Sequence, residues 1–330
     1  MGQSGQRPTL SVVIPAYNEQ EALPGFWARL KKVLDDSCPE AEVIFVNDGS
    51  SDGTIDVLGA LQSEDARIVV VDLSRNFGHQ AALTAGIDAA RGEAVLTMDA
   101  DLEHPPEAIP DFVAAWRKGA EIVFGVRRSN SRVGLFKRVT SRLFYWLFDR
   151  MSNLELQSDS PDFRLMDRKA ASALRSMRER ARFLRGMARW VGFRQAKVEF
   201  EPGARSAGET GYSFLKMVRF AANGLLSFSK VPIRLTTFLG VIVSISAFLY
   251  AGYALYQGIV ADAVVPGWTS TIVVLSLLAG FNLLALGMIG EYVGMVYDEV
   301  KRRPIYVPRA ILRSKREARE PSEGSETDSG

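Results

Sequence analysis

The sequence predicts an α/β domain on a mainly parallel sheet, followed by two C-terminal membrane-spanning helices. Three observations carry this. Short β-branched runs alternate with longer amphipathic stretches over residues 10–125. Acids, amides and an aromatic ring collect where the short runs end. Two long stretches near the C-terminus hold no charged side chain.

Residues 10–15 read as the first strand, and 21–34 as an amphipathic helix. Residues 42–46 form the second strand. The turn Asp48-Gly49-Ser50-Ser51-Asp52-Gly53 leads into a helix over 54–61. A strand at 67–72, a helix at 79–90, a strand at 94–98, a helix at 106–118 and a strand at 121–125 complete the alternation. A βαβα order implies a parallel sheet covered by helices, with ligands at the carboxyl ends of the strands.

The polar residues stand at those ends. The first strand exits into Pro15-Ala16-Tyr17-Asn18-Glu19 and the second into Asn47-Asp48-Gly49-Ser50. The third exits into Ser74-Arg75-Asn76-Phe77-Gly78 and the fourth into Asp99-Ala100-Asp101-Leu102-Glu103. Carboxylates at spacing two point to one side of an extended chain, so Asp99, Asp101 and Glu103 form a candidate site for a hard cation, Mg²⁺ or Mn²⁺. Four loops meeting at one crevice suit a ligand with a base to stack on, a ribose to hydrogen-bond and a diphosphate to bridge through a metal. No G-x-G-x-x-G follows the first strand and no Walker sequence is present, which disfavours dinucleotide and P-loop readings.

Composition excludes other classes. A net charge of +2 over 330 residues argues against a nucleic-acid binder driven by bulk charge. The single cysteine, Cys38, permits no internal disulfide and fits a reducing compartment. The apolar run at 10–16 is too short for a secretory signal and holds Pro15. Residues 235–261 and 263–290 carry no charge, and each exceeds the roughly 20 residues a helix needs to cross a bilayer. Lys230 and Arg234 precede the first span; Lys301, Arg302, Arg303 and Arg309 follow the second; the connecting loop has neither Lys nor Arg. The positive-inside rule places the domain and both termini in the cytoplasm. Basic, aromatic-faced segments at 135–148 and 213–230 read as interfacial helices. Their position beside the crevice makes Arg127, Lys137 and Ser141 candidate ligands for a lipid phosphate. The layout is thus a leader at 1–9, a domain at 10–212, a juxtamembrane helix at 213–230, a transmembrane hairpin at 231–298, and a basic then disordered tail at 299–330.

Several motifs resemble the inverting, nucleotide-sugar-dependent glycosyltransferases of family 2, which have the GT-A (Rossmann-like) fold. They are Val13-Ile14-Pro15-Ala16-Tyr17-Asn18-Glu19, Val46-Asn47-Asp48-Gly49-Ser50-Ser51-Asp52-Gly53-Thr54, Arg75-Asn76-Phe77-Gly78 and Asp99-Ala100-Asp101-Leu102-Glu103-His104. Asp162-Phe163-Arg164-Leu165-Met166, Arg205-Ser206-Ala207-Gly208-Glu209-Thr210-Gly211-Tyr212 and the two spans narrow the match to the polyprenyl-phosphate type, similar to GtrB and dolichol-phosphate mannose synthase. The resemblance implies that Pro15, Tyr17, Asn18, Glu19, Asp48, Arg75 and Asp99 line the nucleotide, Asp48 bonding the base. It implies that Asp99, Asp101 and Glu103 hold the metal, and that Arg205 joins the lipid-phosphate ligands. It places a catalytic pair, Asp162 and Arg164, where Asp162 either accepts a proton or orients its neighbours. The partners implied are a nucleotide sugar, UDP-glucose foremost, a polyprenyl (undecaprenyl) phosphate and the plasma membrane; a homo-oligomer is compatible with it. Two positions depart from the family pattern: Glu103 stands where Gln is usual, and Asn47 where Asp is usual. His79 and His104 read as packing or capping residues. A polysaccharide synthase would need Q-x-x-R-W, and the chain has Gly186-Met187-Ala188-Arg189-Trp190.

Overall fold

A computed structural model describes residues 8–128, 162–180, 182–201 and 267–313, with 236–243, 245–246, 249–250 and 253. The expected interfacial helices at 135–148 and 213–230, the ligands Lys137, Ser141 and Arg205, and most of the leader and acidic tail lie outside the described residues.

Four βα alternations and a fifth strand open the domain. Strands β1 (Leu10–Ala16), β2 (Glu42–Asn47), β3 (Ile68–Leu73), β4 (Ala94–Thr97) and β5 (Ile122–Arg127) alternate with helices α1 (Leu23–Ser37), α2 (Thr54–Glu64), α3 (His79–Ala89) and α4 (Ile109–Arg117). They are followed by β6 (Arg164–Asp167), α5 (Arg168–Ser176), α6 (Leu184–Trp190), β7 (Gln195–Phe200), α7 (Trp268–Val300) and β8 (Pro308–Leu312). Among the described residues these form one eight-stranded sheet in the order β7-β5-β6-β4-β1-β2-β3-β8.

The inner strands are buried along their whole length because helices cover both faces. Alternation sorts their side chains. Val12, Ile14, Val43 and Phe45 pack with Phe26, Leu30 and Phe112 on one face. Val13, Ile44, Val46, Val69 and Val71 pack with Leu83 and Ile87 of α3 on the other. A Cβ at Gly86 would lie 2.2 Å from Val13 Cγ1, so only glycine lets α3 approach this closely.

The sheet is mainly parallel, as the sequence predicts, with β6 inserted antiparallel between β4 and β5 and β8 added antiparallel to β3. One sequence expectation needs correction. Residues 299–313 are not simply a basic tail: Pro308–Leu312 is a strand, and Arg309 lies in the sheet rather than flanking a span. Among the described residues one helix is long and apolar enough to cross a membrane, Leu277–Val300 within α7. Residues 236–243 are helical too. The described residues divide into two compact units, the sheet domain with residues 304–313 and a second containing 236–243 and 267–303.

Candidate active site

The antiparallel β6 decides the site. Thr97, the last residue of β4, pairs with Arg164, the first of β6, and Thr97 Oγ1 donates to the Asp162 carbonyl (2.6 Å). Asp162 and Arg164 are thereby placed at the carboxyl end of the parallel strands, where the sequence loops also emerge.

The loops are tied to one another. Asn18, at φ 56°, takes a backbone hydrogen bond from Ser51 (2.9 Å), and its own N–H donates to Ser50 Oγ (3.0 Å). Glu19 N–H donates to Thr54 Oγ1 (2.9 Å). Asp48 is buried, and its two oxygens accept the N–H groups of Phe77 (2.8 Å) and Gly78 (3.0 Å). Its carboxylate therefore binds the β3 exit loop to the β2 exit loop. Gly49, at φ +63°, is demanded twice: a Cβ there would also meet the Arg75 carbonyl carbon at 2.2 Å. Arg75 stacks over Phe77, 4.1 Å from its ring centroid. Pro15 is buried within β1, whereas Tyr17 is 48% exposed and offers a ring face to a ligand. Asn47 donates from Nδ2 to Asp72 Oδ1 (2.7 Å), its partner in the β2–β3 register. An Asp there would set two buried carboxylates against each other, which explains the amide at this position.

The acidic loop differs from its expected form. β4 ends at Thr97, residues 100–104 bend, and Leu102 takes φ 61°, so the carboxylates are not on one side of an extended chain. Glu103 Oε2 accepts from Arg127 Nη2 (2.6 Å), which engages both the expected third metal ligand and an expected phosphate ligand. Asp101 Oδ1 accepts the Glu103 N–H (3.0 Å). Among the described residues no group of three His, Cys, Asp or Glu is arranged to hold an ion. Asp99 and Asp101 nevertheless fit one. Asp99 Oδ1 is buried without a hydrogen-bond donor. Burial first, then Asp162 and Asp101, push the Asp99 carboxyl up to about 6 against the pull of His79 and Arg185. Glu19 is raised as well, by burial and then by Asp101, Asp52 and Asp99. Carboxylates that repel one another at a strand end are short of positive charge. Two carboxylates completed by substrate phosphates is an ordinary Mg²⁺ arrangement.

Beside them lies a finished cluster. Asp162 is 3% exposed. It accepts from Arg164 Nη2, from Arg185 Nε (3.2 Å) and Nη2 (3.0 Å), and from Gln80 Nε2 (3.2 Å). His79 Nε2 stands 3.5 Å from Asp162 Oδ2 and 3.5 Å from Asp99 Oδ1. Burial opposes the Asp162 charge, but His79, Arg164 and Arg185 hold its carboxyl far below the usual range. Arg164 is fully buried, with Nη1 donating to the Leu184 carbonyl (2.7 Å), and burial lowers its pKa to about 10. Burial also disfavours the charged form of His79, yet the hydrogen bond to Asp162 and the charge of Asp99 win and raise its pKa. His79 is thus more than a packing residue. His104 fits the packing role: buried, stacked on Phe163 (5.0 Å), its Nδ1 accepting the Asp99 N–H (2.9 Å), and held neutral by burial with a pKa of about 3. Sequence reasoning missed Gln80 and Arg185. Gln80 directly follows His79, a signal that was legible; Arg185 lies on α6, with nothing local to mark it.

Matches to known proteins give the family. The profile of glycosyl transferase family 2 matches residues 11–175. The chain is 42% identical over 297 residues to an uncharacterized glycosyltransferase, YkcC, of Bacillus subtilis (strain 168), covering 90% of this chain and 92% of that protein. It is 36% identical over 302 residues to the prophage bactoprenol glucosyl transferase homolog of Escherichia coli (strain K12), covering 92% and 99%. A solved structure of glucosyl-3-phosphoglycerate synthase from Mycobacterium tuberculosis is similar with a TM-score of 0.46 and 21% identity over 65% of this chain and 76% of that one. With the family profile spanning residues 11–175 and these relatives covering 90% or more of its length, the chain belongs to glycosyl transferase family 2 and is a glycosyltransferase.

Proposed function

We propose that the protein transfers a hexose, glucose from UDP-glucose foremost, to a polyprenyl phosphate at the cytoplasmic face of the membrane, with inversion at the anomeric carbon. The observation that carries this is the pairing, at the carboxyl end of the parallel strands, of an acidic loop short of positive charge, Asp99 and Asp101, with the cluster around Asp162. The relative named a bactoprenol glucosyl transferase homolog supports a polyprenyl acceptor and glucose as the sugar.

Asp99 and Asp101 would hold Mg²⁺ or Mn²⁺, which offsets charge on the leaving diphosphate. Tyr17 offers its ring to the base. Asp48, Asn18 and Gly49 hold the surrounding loops in place. The acceptor phosphate is largely ionised near neutral pH, its second pKa being about 6. It needs orientation more than deprotonation, and an Asp162 locked in its ionised form is a poor proton acceptor. Asp162 therefore orients Arg185, whose positive charge serves the reacting phosphates, and His79 beside it. Arg164 serves as its buried counter-ion. Arg127, Lys137, Ser141 and Arg205 stay assigned to the lipid phosphate.

Chain connectivity supports two spans. Strands β1–β7 and β8 lie in one sheet, so any crossings between β7 and β8 are even in number. If α7 is one crossing, the uncharged run 235–261 is its partner. Lys and Arg flank both runs and avoid the loop, which places the domain inside.

The test is a donor panel (UDP-glucose, UDP-N-acetylglucosamine, GDP-mannose and a UDP-aminoarabinose derivative) against undecaprenyl phosphate in membranes, with and without EDTA. Transfer of glucose that EDTA abolishes is expected. Transfer from GDP-mannose alone reassigns the donor, and no lipid product from any donor sinks the reading.

A further inference from the structure

The strand after the long apolar helix touches the loops assigned above to the nucleotide. Ser74 N–H donates to the Val307 carbonyl (2.9 Å), and Arg309 Nη2 donates to the Ser74 carbonyl (3.1 Å). Both backbone polar groups of Ser74, the first residue of the β3 exit loop, are thus held by Val307 and Arg309. The same Arg309 reaches Asp72 with Nη1 (3.5 Å). Asp72 accepts from Asn47, and Asn47 Oδ1 accepts the Ser50 N–H (3.2 Å). From Arg309 the relay therefore reaches the β2 exit loop at Ser50 in three contacts, through Asp72 and Asn47. Asp48 closes the circuit, because it joins that loop to Phe77 and Gly78. Elsewhere the segment is fastened separately: Tyr306 Oη donates to Asp88 Oδ2 (2.9 Å) and Arg313 Nη2 to the Ala89 carbonyl (3.1 Å), both on α3.

We propose that β8 is a positioning strap for the donor pocket, with Arg309 and the Val307 carbonyl setting the Ser74–Gly78 loop and, through Asp72 and Asn47, the Ser50 turn. The inference rests on the assignment of those loops to the nucleotide. It means that residues encoded beyond the membrane-spanning stretch are needed for donor binding at the opposite end of the sequence. Arg309 and Val307 touch no reacting atom; they act through the loops.

The test uses the full chain in nanodiscs, titrated with UDP and with GDP in Mn²⁺, alongside steady-state transfer from UDP-glucose. Arg309→Ala should weaken UDP and raise the donor KM about fivefold, the effect of losing one hydrogen bond, with kcat nearly unchanged. Arg309→Lys keeps the charge near Asp72 and should recover part of the loss. Tyr306→Phe removes an anchor on α3 and should lower Tm without moving UDP affinity. If the Arg309 variants fail to fold, Asn47→Ala reads the relay from its other end and should weaken UDP in the same way. UDP affinity unchanged in Arg309→Ala, or in Asn47→Ala if that variant is the one that folds, overturns the strap. A wild-type chain that binds neither UDP nor GDP sinks the donor-site reading itself, and the strap with it.

Discussion

Two acidic centres stand side by side at the carboxyl end of the parallel strands and differ in how complete they are. The Asp99–Asp101 loop has a buried oxygen without a donor and a carboxyl raised to about 6. Asp162 has Arg164, Arg185, Gln80 and His79 around it and a carboxyl held far below the usual range. A site that repels its own charge is built to receive a cation; a site that has gathered its cations is built to hold them still. In the proposed reading the same residue type thus serves opposite tasks, and the surroundings distinguish them.

The largest expected effect comes from emptying the first centre. Asp101→Ala should cut turnover by orders of magnitude, because charge compensation on a leaving diphosphate is worth several kcal/mol. The melting temperature should hold or rise, since a repelling charge is gone. Turnover near wild type in the presence of EDTA would remove Asp101 from the metal site.

Asp162→Asn should damage both fold and turnover. It leaves Arg164 buried without its counter-ion, at a cost of about 3–5 kcal/mol. Urea denaturation and turnover measured together check this. A variant that loses turnover but keeps full stability would restore the proton-acceptor role for Asp162.

Glu103→Gln sharpens the comparison at its weakest point. If Glu103 serves chiefly as partner to the half-exposed Arg127, losing the pair should cost about 1 kcal/mol or less and leave turnover within a few fold. A loss as large as that of Asp101→Ala would show that Glu103 leaves Arg127 to bind the metal.

The smallest effect is a difference in sign with pH. Without metal, Asp99 binds protons more readily folded than unfolded, so its contribution to stability should fall as pH rises from about 4 to about 6. Asp162 has the depressed pKa, so the stability it provides is present above about 4 and is lost as pH falls below that. Denaturation of the metal-free protein should show a maximum on the acid side, and Mn²⁺ should flatten the slope between about 4 and about 6. A metal-free curve flat over that interval would contradict the raised Asp99.

The alternation of strands and helices from residue 10 to 127, and the four polar exits, were determined by the sequence alone. β-branched runs with buried sides and amphipathic helices repeat over short distances, and turn residues mark their ends. Tyr17, Asp48 and Asp99 were legible for the same reason: each stands within two residues of a strand's end. What only the tertiary structure decided involves partners far apart in the chain. Arg164 pairs with Thr97 because β6 runs antiparallel into the sheet, a choice made by long-range packing. Arg185 reaches Asp162 from a separate helix, and Glu103 turns to Arg127 because the chain bends at Leu102. Arg309 meets Asp72 across more than 230 residues of sequence. Local pattern records burial and turns; charge pairing and strand order depend on which segments come to lie side by side, and that is settled by the whole fold at once.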